Sequence, residues 1–253
     1  MPQLFGTWSG QKYFLDKMTY RDLVVAFFTH YSIQVYLLVA ALAILATVWL
    51  AGGWQGPLLT VAVVLVVYPF AEYVLHRFVL HARFLYKSPY TAKVWKRIHY
   101  DHHQNPHDLS VLFGALYTTL PAIALVSMPV GWLVAGAAGA TTALATAVIV
   151  FSVYEWCHCV QHLPVTPKNT WLREIKRRHL AHHFHSEKGN YGITSGLWDR
   201  ILGTFYAVPK DMPRSVTAFN LGYTEDERRR YPWVADLSAS EDEYAVRRHR
   251  RVA

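Results

Sequence analysis

The chain has 253 residues, of which 53% are hydrophobic and 17% are charged. Soluble domains carry about a quarter charged residues, so this composition excludes a disordered chain or a collagen-like fibre. Two cysteines are too few for a disulfide scaffold. The formal net charge of +8 fits a membrane protein with a basic cytoplasmic face and does not require a nucleic-acid partner.

The distribution of charge indicates a membrane protein. No Asp, Glu, Lys or Arg occurs in the 49 residues between Asp22 and Glu72, or in the 46 residues between Asp108 and Glu155. One helical crossing needs about 20 apolar residues. Each charge-free run is therefore long enough to cross a bilayer twice.

The N-terminal segment, residues 1–31, shows no basic region followed by an apolar run and a cleavage site, so we expect no signal peptide. Its second half mixes apolar residues with Lys12, Lys17 and Arg21. This pattern predicts either an amphipathic helix in the membrane interface or a soluble cap segment.

Each charge-free run has Gly, Pro and Trp near its middle, at 52–57 and at 128–132. Gly and Pro interrupt helices, and Trp favours the bilayer interface, so this pattern predicts a helical hairpin in each run. Barrel strands would alternate with period two, and these runs are apolar on all sides. The predicted spans are residues 32–51, 57–77, 111–128 and 134–158.

Lys and Arg predict the orientation of the hairpins. Residues 1–31 hold 3 of them, residues 77–110 hold 6, and residues 163–253 hold 16, while neither hairpin turn holds any. The positive-inside rule places both termini and the middle loop in the cytoplasm. A bacterial inner membrane and the endoplasmic reticulum both satisfy this rule.

Ten of the 14 histidines form four groups within or beside the predicted cytoplasmic segments, with the order H-x4-H, H-x2-H-H, H-x3-H, H-x2-H-H. Residues three or four apart share one face of a helix, so the last three groups each present at least two imidazoles together. The first pair differs by about 140° on a regular helix, so its members share a metal only if the helix ends or bends between them. The candidate metal ligands are His76, His81, His99, His102, His103, His158, His162, His179, His182 and His183.

Imidazole suits Zn, Cu, Fe and Ni, and ten imidazoles are too many for one ion and about right for two. A membrane metal transporter or sensor is a distant alternative. A transport path needs polar or ionisable residues at membrane depth, and both predicted hairpins are free of charged residues. The other histidines are not predicted as ligands, although two of them lie close enough to contact ligands. These two are His107 and His185, and the other two are His30 and His249.

Histidine ligands usually donate their second ring N–H to a carboxylate or a carbonyl. A carboxylate at the membrane edge is costly unless it is paired, so acidic residues near the histidines are expected to support the site. Cys157 and Cys159, in contrast, are predicted to be packing residues. The candidate supporting carboxylates are Glu72, Asp101, Glu155 and Asp199.

The order of the histidine groups after apolar hairpins resembles the fatty acid hydroxylase superfamily, which contains sterol desaturases, sterol C4-methyl oxidases, carotenoid hydroxylases and fatty acid 2-hydroxylases. The resemblance covers about residues 70–206 and is nearest to the fatty acid 2-hydroxylases. The most specific run reads from His182 through Phe184, Gly192, Ile193, Thr194, Leu197, Trp198 and Asp199. Further matching stretches are Leu75 to Phe78, Pro106 with Asp108, and Tyr154 with Glu155.

The resemblance implies a non-haem di-iron centre bound by the ten histidines, with zinc able to replace iron in a purified form. It also implies O2 as co-substrate, two electrons from a redox partner, and hydroxylation of an unactivated C–H bond of a lipid chain. Four transmembrane helices would lie under a cytoplasmic catalytic cap.

Two residues depart from the 2-hydroxylase pattern: Tyr100 stands where those proteins usually have Gly, and Glu155 where they usually have Asp. Both departures bear on the substrate, so oxidation of a sterol, hopanoid or carotenoid, by hydroxylation or desaturation, stays an alternative to an acyl chain. The fused cytochrome b5 domain of many eukaryotic relatives does not fit within 253 residues. We therefore expect a separate electron donor, a ferredoxin or a cytochrome b5-like protein.

Together these features predict an all-α integral membrane protein with four transmembrane helices in two hairpins and a cytoplasmic helical cap that holds a histidine-rich dimetal site. We expect residues 1–31 to form the interfacial or cap segment and residues 32–206 the transmembrane and catalytic domain. Residues 207–253 are expected to form a cytoplasmic tail on or near the cap.

Overall fold

The computed structural model describes residues 13–239, and these residues are helical or irregular. Apart from an isolated bridge between Phe14 and Asp108, this part of the chain has no β-structure. Short 3-10 helices lie at Leu15–Lys17, Leu85–Lys87 and Pro209–Asp211. The α-helices are α1 (Tyr20–Thr29), α2 (Tyr31–Leu50), α3 (Gln55–Leu75), α4 (Pro89–Trp95), α5 (Asp101–Gln104), α6 (Leu109–Leu112), α7 (Leu116–His162), α8 (Thr170–Phe184), α9 (Leu197–Ile201) and α10 (Glu225–Arg230).

Three helical stretches in the described chain are long and apolar enough to cross a membrane: Tyr31–Leu50, Gln55–Lys87 and Leu109–His162. Large apolar side chains on their outer surfaces are exposed, for example Trp49 and Val66. Such a surface needs a lipid environment, because a soluble monomer rarely exposes an apolar area of this extent. The first two stretches agree with the predicted spans 32–51 and 57–77 to within two residues at their starts.

The third stretch folds back on itself, but later in the chain than predicted. The backbone is non-helical at Ala135 and Gly136, and Gly136 has φ of 57°. Gly131 and Gly139 pack against each other, and a Cβ at either one would collide with the backbone of the other. The predicted turn at 128–132 is therefore wrong. Gly131 allows two antiparallel segments of α7 to approach closely, whereas Gly136 takes the left-handed conformation of the turn itself.

Helix α7 packs against both α2 and α3. The Tyr36 hydroxyl lies 2.6 Å from Thr119 Oγ1. Nearer the opposite end of α2, Thr47 Oγ1 lies 2.8 Å from Thr141 Oγ1. Polar pairs of this kind satisfy hydroxyl groups that lipid cannot, and they position α2 against both halves of α7.

The N-terminal helix α1 begins with a capping box, in which Thr19 and Asp22 bond each other's backbone N–H. Leu15, Leu23 and Phe27 are buried in the main apolar core with residues of α2 and α7. Helix α1 therefore closes one side of the long helices near the histidine-rich ends.

The chain after α9 returns to the segment that follows α3. Leu221, Tyr223 and Val234 pack against Tyr86 and Trp95 in a second apolar cluster. We call residues 76–112 and 163–239 the cap, because together they enclose the histidine-bearing ends of α3 and α7.

Candidate metal centre

His76 and His81 converge because the helix changes its hydrogen-bonding pattern between them. Residues His76–Leu80 form a π-helix that continues α3, and the His81 N–H donates to the His76 carbonyl at 3.2 Å. A π-turn places residues i and i+5 on the same side of the helix. The two Nε2 atoms consequently lie 3.2 Å apart.

The histidines lie in two clusters, the first around His76 and His81 and the second around His158 and His162, and each H-x2-H-H group contributes to both. A second π-helix, Lys96–Tyr100, carries His99 and leads into α5. His99 and His103 turn toward the first pair, while His102 turns the other way. On α8, His182 faces the first cluster, and its two neighbouring histidines face the second.

The ten predicted ligands thus form two clusters of five, and within each cluster the potential ligand atoms all lie within 4.8 Å of one another. Nine of the ten side chains are buried, and His81 is half-buried. The first cluster is His76, His81, His99, His103 and His182, and the second cluster is His102, His158, His162, His179 and His183.

Backbone carbonyls orient rings of the first cluster. His76 Nδ1 lies 2.5 Å from the Tyr191 carbonyl oxygen, and His103 Nδ1 lies 2.6 Å from that of Ala218. A carbonyl only accepts a hydrogen bond, so each Nδ1 carries the proton and each Nε2 carries a lone pair.

Four Nε2 atoms of the first cluster lie close together. His99 Nε2 lies 3.0 Å from His76 Nε2 and 3.1 Å from both His81 Nε2 and His103 Nε2. The lone pairs on Nε2 of His76 and His103 lie within this group of nitrogen atoms, where a bound cation would accept them. The donor set therefore fits a metal ion bound by imidazole nitrogens.

The second cluster fits a metal for a related reason. His102 and His183 have no hydrogen-bond partner for either ring nitrogen within residues 13–239, and neither does His158 for Nε2. His162 Nε2 and His179 Nε2 lie 2.9 Å apart. Buried nitrogen atoms without partners are costly, and a bound ion would satisfy them.

The electrostatics favour neutral imidazoles in the cap. Burial, and then the charges of neighbouring histidines, lower the pKa of His99, His102, His179 and His183 well below 6.5. Neutral imidazole is the form that binds metal. These rings are therefore ready to bind a cation at neutral pH.

The remaining histidines of the described chain lie outside both clusters. The His30 ring stacks on Phe113, with ring centroids 4.2 Å apart, and accepts the Ser32 N–H at the start of α2. His107 Nδ1 lies 3.3 Å from the backbone carbonyl of His162, and His185 bonds the Met212 carbonyl. His249 lies outside the described residues.

Two of the predicted supporting carboxylates bind the backbone near the histidines. Asp199 accepts hydrogen bonds from the N–H groups of Tyr191 and Gly192, both at 2.8 Å. Glu72 accepts from Ile193 N–H at 2.6 Å and from Thr194 N–H at 3.0 Å. Both carboxylates therefore hold the segment whose carbonyls orient the rings, one step further from the histidines than predicted.

The other two carboxylates have different surroundings. Glu155 accepts the Gly114 N–H at 2.9 Å through Oε1, while its buried Oε2 has no hydrogen-bond partner among the described residues. Asp101 forms an ion pair with Lys96 at 2.8 Å, across the second π-helix.

Sequence reasoning missed the carbonyls of Gly189, Tyr191 and Ala218, which bond ring nitrogens of the first cluster, because a backbone acceptor has no residue signature. One signal was available in the run after α8. A Cβ at Gly192 would collide with the Ser195 carbonyl, so the tight loop that follows Tyr191 requires glycine there.

An apolar cavity of about 360 Å³ lies between α3 and the two halves of α7. Its lining reaches both clusters, through His76 and His99 of the first and through His102 and His158 of the second. Its other end is lined by Val64 and Val130. Val64 precedes His76 by twelve residues, which is about 18 Å along a helix.

These features define a class: an all-helical, membrane-type protein whose cap holds two histidine clusters at the end of an apolar cavity. The model of the family described as fatty acid hydroxylase matches residues 61–204, more than half of the chain. The chain belongs to the fatty acid hydroxylase family, which confirms the resemblance seen in the sequence.

Curated relatives agree with this assignment. The chain is 35% identical over 138 residues to dihydroceramide fatty acyl 2-hydroxylase FAH2 of Arabidopsis thaliana, covering 53% of this chain and 54% of the relative. It is 28% identical over 142 residues to fatty acid 2-hydroxylase of Rattus norvegicus, covering 55% of this chain and 37% of the relative. The match thus spans between about a third and a little more than half of the length of these relatives.

The fold is similar to that of a solved structure described as full-length scs7p in which only the hydroxylase domain is visible. The TM-score is 0.59 at 24% identity, over 79% of this chain and 71% of that one.

Proposed function

We propose that this protein is a membrane-bound di-iron oxygenase that hydroxylates the acyl chain of a lipid. The observation that carries the proposal is the meeting of two five-histidine clusters with one apolar cavity. A lipid chain inside that cavity would reach both clusters. The names of the relatives, fatty acid and ceramide hydroxylases, support the same substrate class.

The reaction converts a C–H bond, O2, two electrons and two protons into a C–OH group and water. Cleavage of an unactivated C–H bond exceeds what side-chain acid–base chemistry achieves, and the two bound iron ions would supply the chemistry. The first cluster would hold one ion and the second cluster the other. Zinc bound in their place would give an inactive form, because zinc has no redox chemistry.

The residues around the histidines orient the imidazole rings and shield the reacting carbon from water. The carbonyls of Tyr191 and Ala218 hold the His76 and His103 rings with Nε2 facing inward, and Asp199 fixes the loop that carries Tyr191. Apolar side chains such as Val79 and Leu112 line the cavity near the clusters and exclude water from the reacting carbon.

The position of the clusters supports oxidation near the polar end of the substrate. The cavity runs from the histidines toward Val64, within the apolar part of α3. A polar headgroup at that depth would be costly, while an alkyl tail fits there. The tail would therefore occupy the deep end, and a carbon close to the headgroup would lie at the clusters.

The topology is part of the proposal. We infer four crossings, with each half of α7 crossing once, because Gly131 and Gly139 pack as an antiparallel pair. The Lys and Arg distribution supports a cytoplasmic location for the cap, both termini and the clusters. Within this arrangement residues 32–206 form the transmembrane and catalytic unit.

Lipid mass spectrometry tests the function. Wild type and His182→Ala are expressed in the same host with an electron donor, and total lipids are compared. We expect a gain of one oxygen on an acyl chain in the wild type alone, with fragments that place the hydroxyl near the carbonyl end. A loss of two hydrogens would assign a desaturase, and oxidation of a sterol, hopanoid or carotenoid would overturn the acyl substrate.

A further inference from the structure

An exposed apolar patch lies on the cap. Phe184, Val216 and Phe219 are 51%, 86% and 56% exposed, and we call these three residues the cap patch. The Ser215 N–H donates to the His185 carbonyl at 2.9 Å. This bond brings the residue before Val216 against the residue after Phe184, so these two parts of the patch are adjacent.

The third member joins the patch through the segment 104–107. Gln104 Nε2 donates to the Phe219 carbonyl at 2.5 Å, and the ring of His107 stacks on Phe184 with centroids 6.0 Å apart. Phe184 and Phe219 therefore flank one short segment of the cap. Scattered surface apolar residues need no explanation, but these three exposed residues are held around one part of the cap by the two hydrogen bonds and the ring contact.

The cap patch is close to both clusters. Phe184 follows His183 of the second cluster, and their ring centroids are 6.3 Å apart. Phe219 follows Ala218, whose carbonyl accepts the Nδ1 hydrogen of His103 in the first cluster. Because electron transfer slows steeply with distance, a redox protein seated here would have a short route to the site.

The exposed charges nearest to Phe184 and Val216 in the chain are basic. Lys188 and Arg214, close in sequence to the patch residues, are both exposed. Glu187, the acidic neighbour of Lys188, is 4% exposed and accepts a hydrogen bond from the Thr217 hydroxyl. The surface therefore combines an apolar centre with exposed cations, which suits a partner with an acidic rim.

We propose that the cap patch is the docking surface of a soluble one-electron carrier protein whose acidic residues surround its prosthetic group. The inference rests on the proposed function, which consumes two electrons for each hydroxylated lipid. In each encounter the carrier's prosthetic group would give up one electron to the metal that the two clusters would hold, so two encounters would supply the two electrons of one turnover.

The test measures electron delivery separately from lipid oxidation. A reduced plant-type [2Fe–2S] ferredoxin, an acidic donor, is mixed with metal-loaded enzyme without lipid, and its oxidation is followed by stopped-flow absorbance. The variant is Lys188→Glu with Arg214→Glu. The matched control is Lys168→Glu, an exposed lysine just before α8, about 22 Å from the end of that helix that carries Phe184.

We expect the double variant to lower the second-order rate of ferredoxin oxidation by at least about tenfold at low salt, because removing complementary charge slows association. The difference should shrink at high salt, where charges are screened. The control should stay within about twofold of wild type. Reduction by dithionite should be the same in all three proteins, since a small reductant needs no docking surface.

Equal ferredoxin rates in the double variant and the control would overturn the docking surface. So would a double variant with unchanged ferredoxin rates but a raised half-saturating lipid concentration, which would assign the patch to the membrane surface. The proposed function is judged apart from both: if dithionite-reduced wild type and O2 leave the lipids unchanged, the function fails whatever the ferredoxin rates.

Discussion

The Nε2 atoms of His76 and His81 lie 3.2 Å apart although the residues are five positions apart in the chain. A regular helix would point them about 140° away from each other, and the π-helix His76–Leu80 removes this difference. The widened turn thus brings the two histidines of an H-x4-H spacing close enough to bind the same ion.

The division into two clusters predicts that the metals are lost separately. His81→Ala should reduce bound iron from about two ions per chain to about one, and His162→Ala should do the same, because each removes a ligand from a different cluster. The measurement is inductively coupled plasma mass spectrometry on purified protein. His185→Ala is the matched control and should keep both ions, since His185 lies in neither cluster. Loss of both ions in each variant would show that the clusters bind as a unit.

Asp199 should matter through the loop it holds. The Asp199→Asn change replaces one carboxylate oxygen by an NH2 group. That group cannot accept a hydrogen bond, so the N–H of Tyr191 or of Gly192 loses its acceptor. We expect a loss of about 1.5–3 kcal/mol of stability, as for a buried hydrogen bond to a charged group, and weaker iron binding in the first cluster. Thermal unfolding and metal content measure both effects. Asp211→Asn, at an exposed carboxylate that caps Val208 N–H, should leave both quantities unchanged.

The cavity predicts chain-length selectivity. Val64 is buried and lines the deep end of the cavity, so Val64→Phe should shorten the space for the tail. Activity on the longest accepted chains should fall by at least about tenfold while shorter chains are still oxidised, as measured by competition between acyl chains. Val66→Phe is the control, because Val66 is 76% exposed on the same helix. Equal chain-length profiles in the two variants would remove the cavity as the binding site of the tail.

The buried imidazoles predict an acid-sensitive metal-free protein. Burial holds the pKa of His99, His102 and His179 well below 6.5, so below that pH the unfolded chain binds more protons than the folded one. Stability should therefore be constant above about pH 7.5 and should fall as the pH drops below 6.5, by up to about 1.4 kcal/mol per pH unit for each such ring. Thermal unfolding of chelator-treated protein between pH 8 and pH 5 measures this. A midpoint that stays constant over that range would contradict it.

The histidine pattern singled out the ten residues that the structure gathers into two clusters, but it did not predict how they divide between the clusters. Spacing predicted at least two imidazoles on one face of each H-x2-H-H group, and the structure pairs His99 with His103 while His102 joins the other cluster. The partners of the ring N–H groups were expected to be carboxylates or carbonyls, and His76 and His103 use backbone carbonyls. A carbonyl belongs to every residue, so only the path of the chain selects which one is used.

The turn of the second hairpin shows the same limit. Pro129 and Gly131 indicated a break, but the backbone of α7 is helical at both, and it is non-helical only at Ala135 and Gly136, where the chain reverses. A glycine that permits close helix packing and a glycine that forms a turn look alike in the sequence. The contact between Gly131 and Gly139 distinguishes the two uses.

The amino-acid sequence by itself determined that the protein is helical and apolar enough for a membrane, and that histidines gather at the ends of its long helices. Those properties follow from local composition and period, which act over a few turns of chain. The tertiary structure decided the division of the histidines into two clusters, the carbonyls that orient the rings, and the cavity that leads to them. These depend on contacts between residues far apart in the chain, such as His76 with Tyr191, and packing alone brings such residues together.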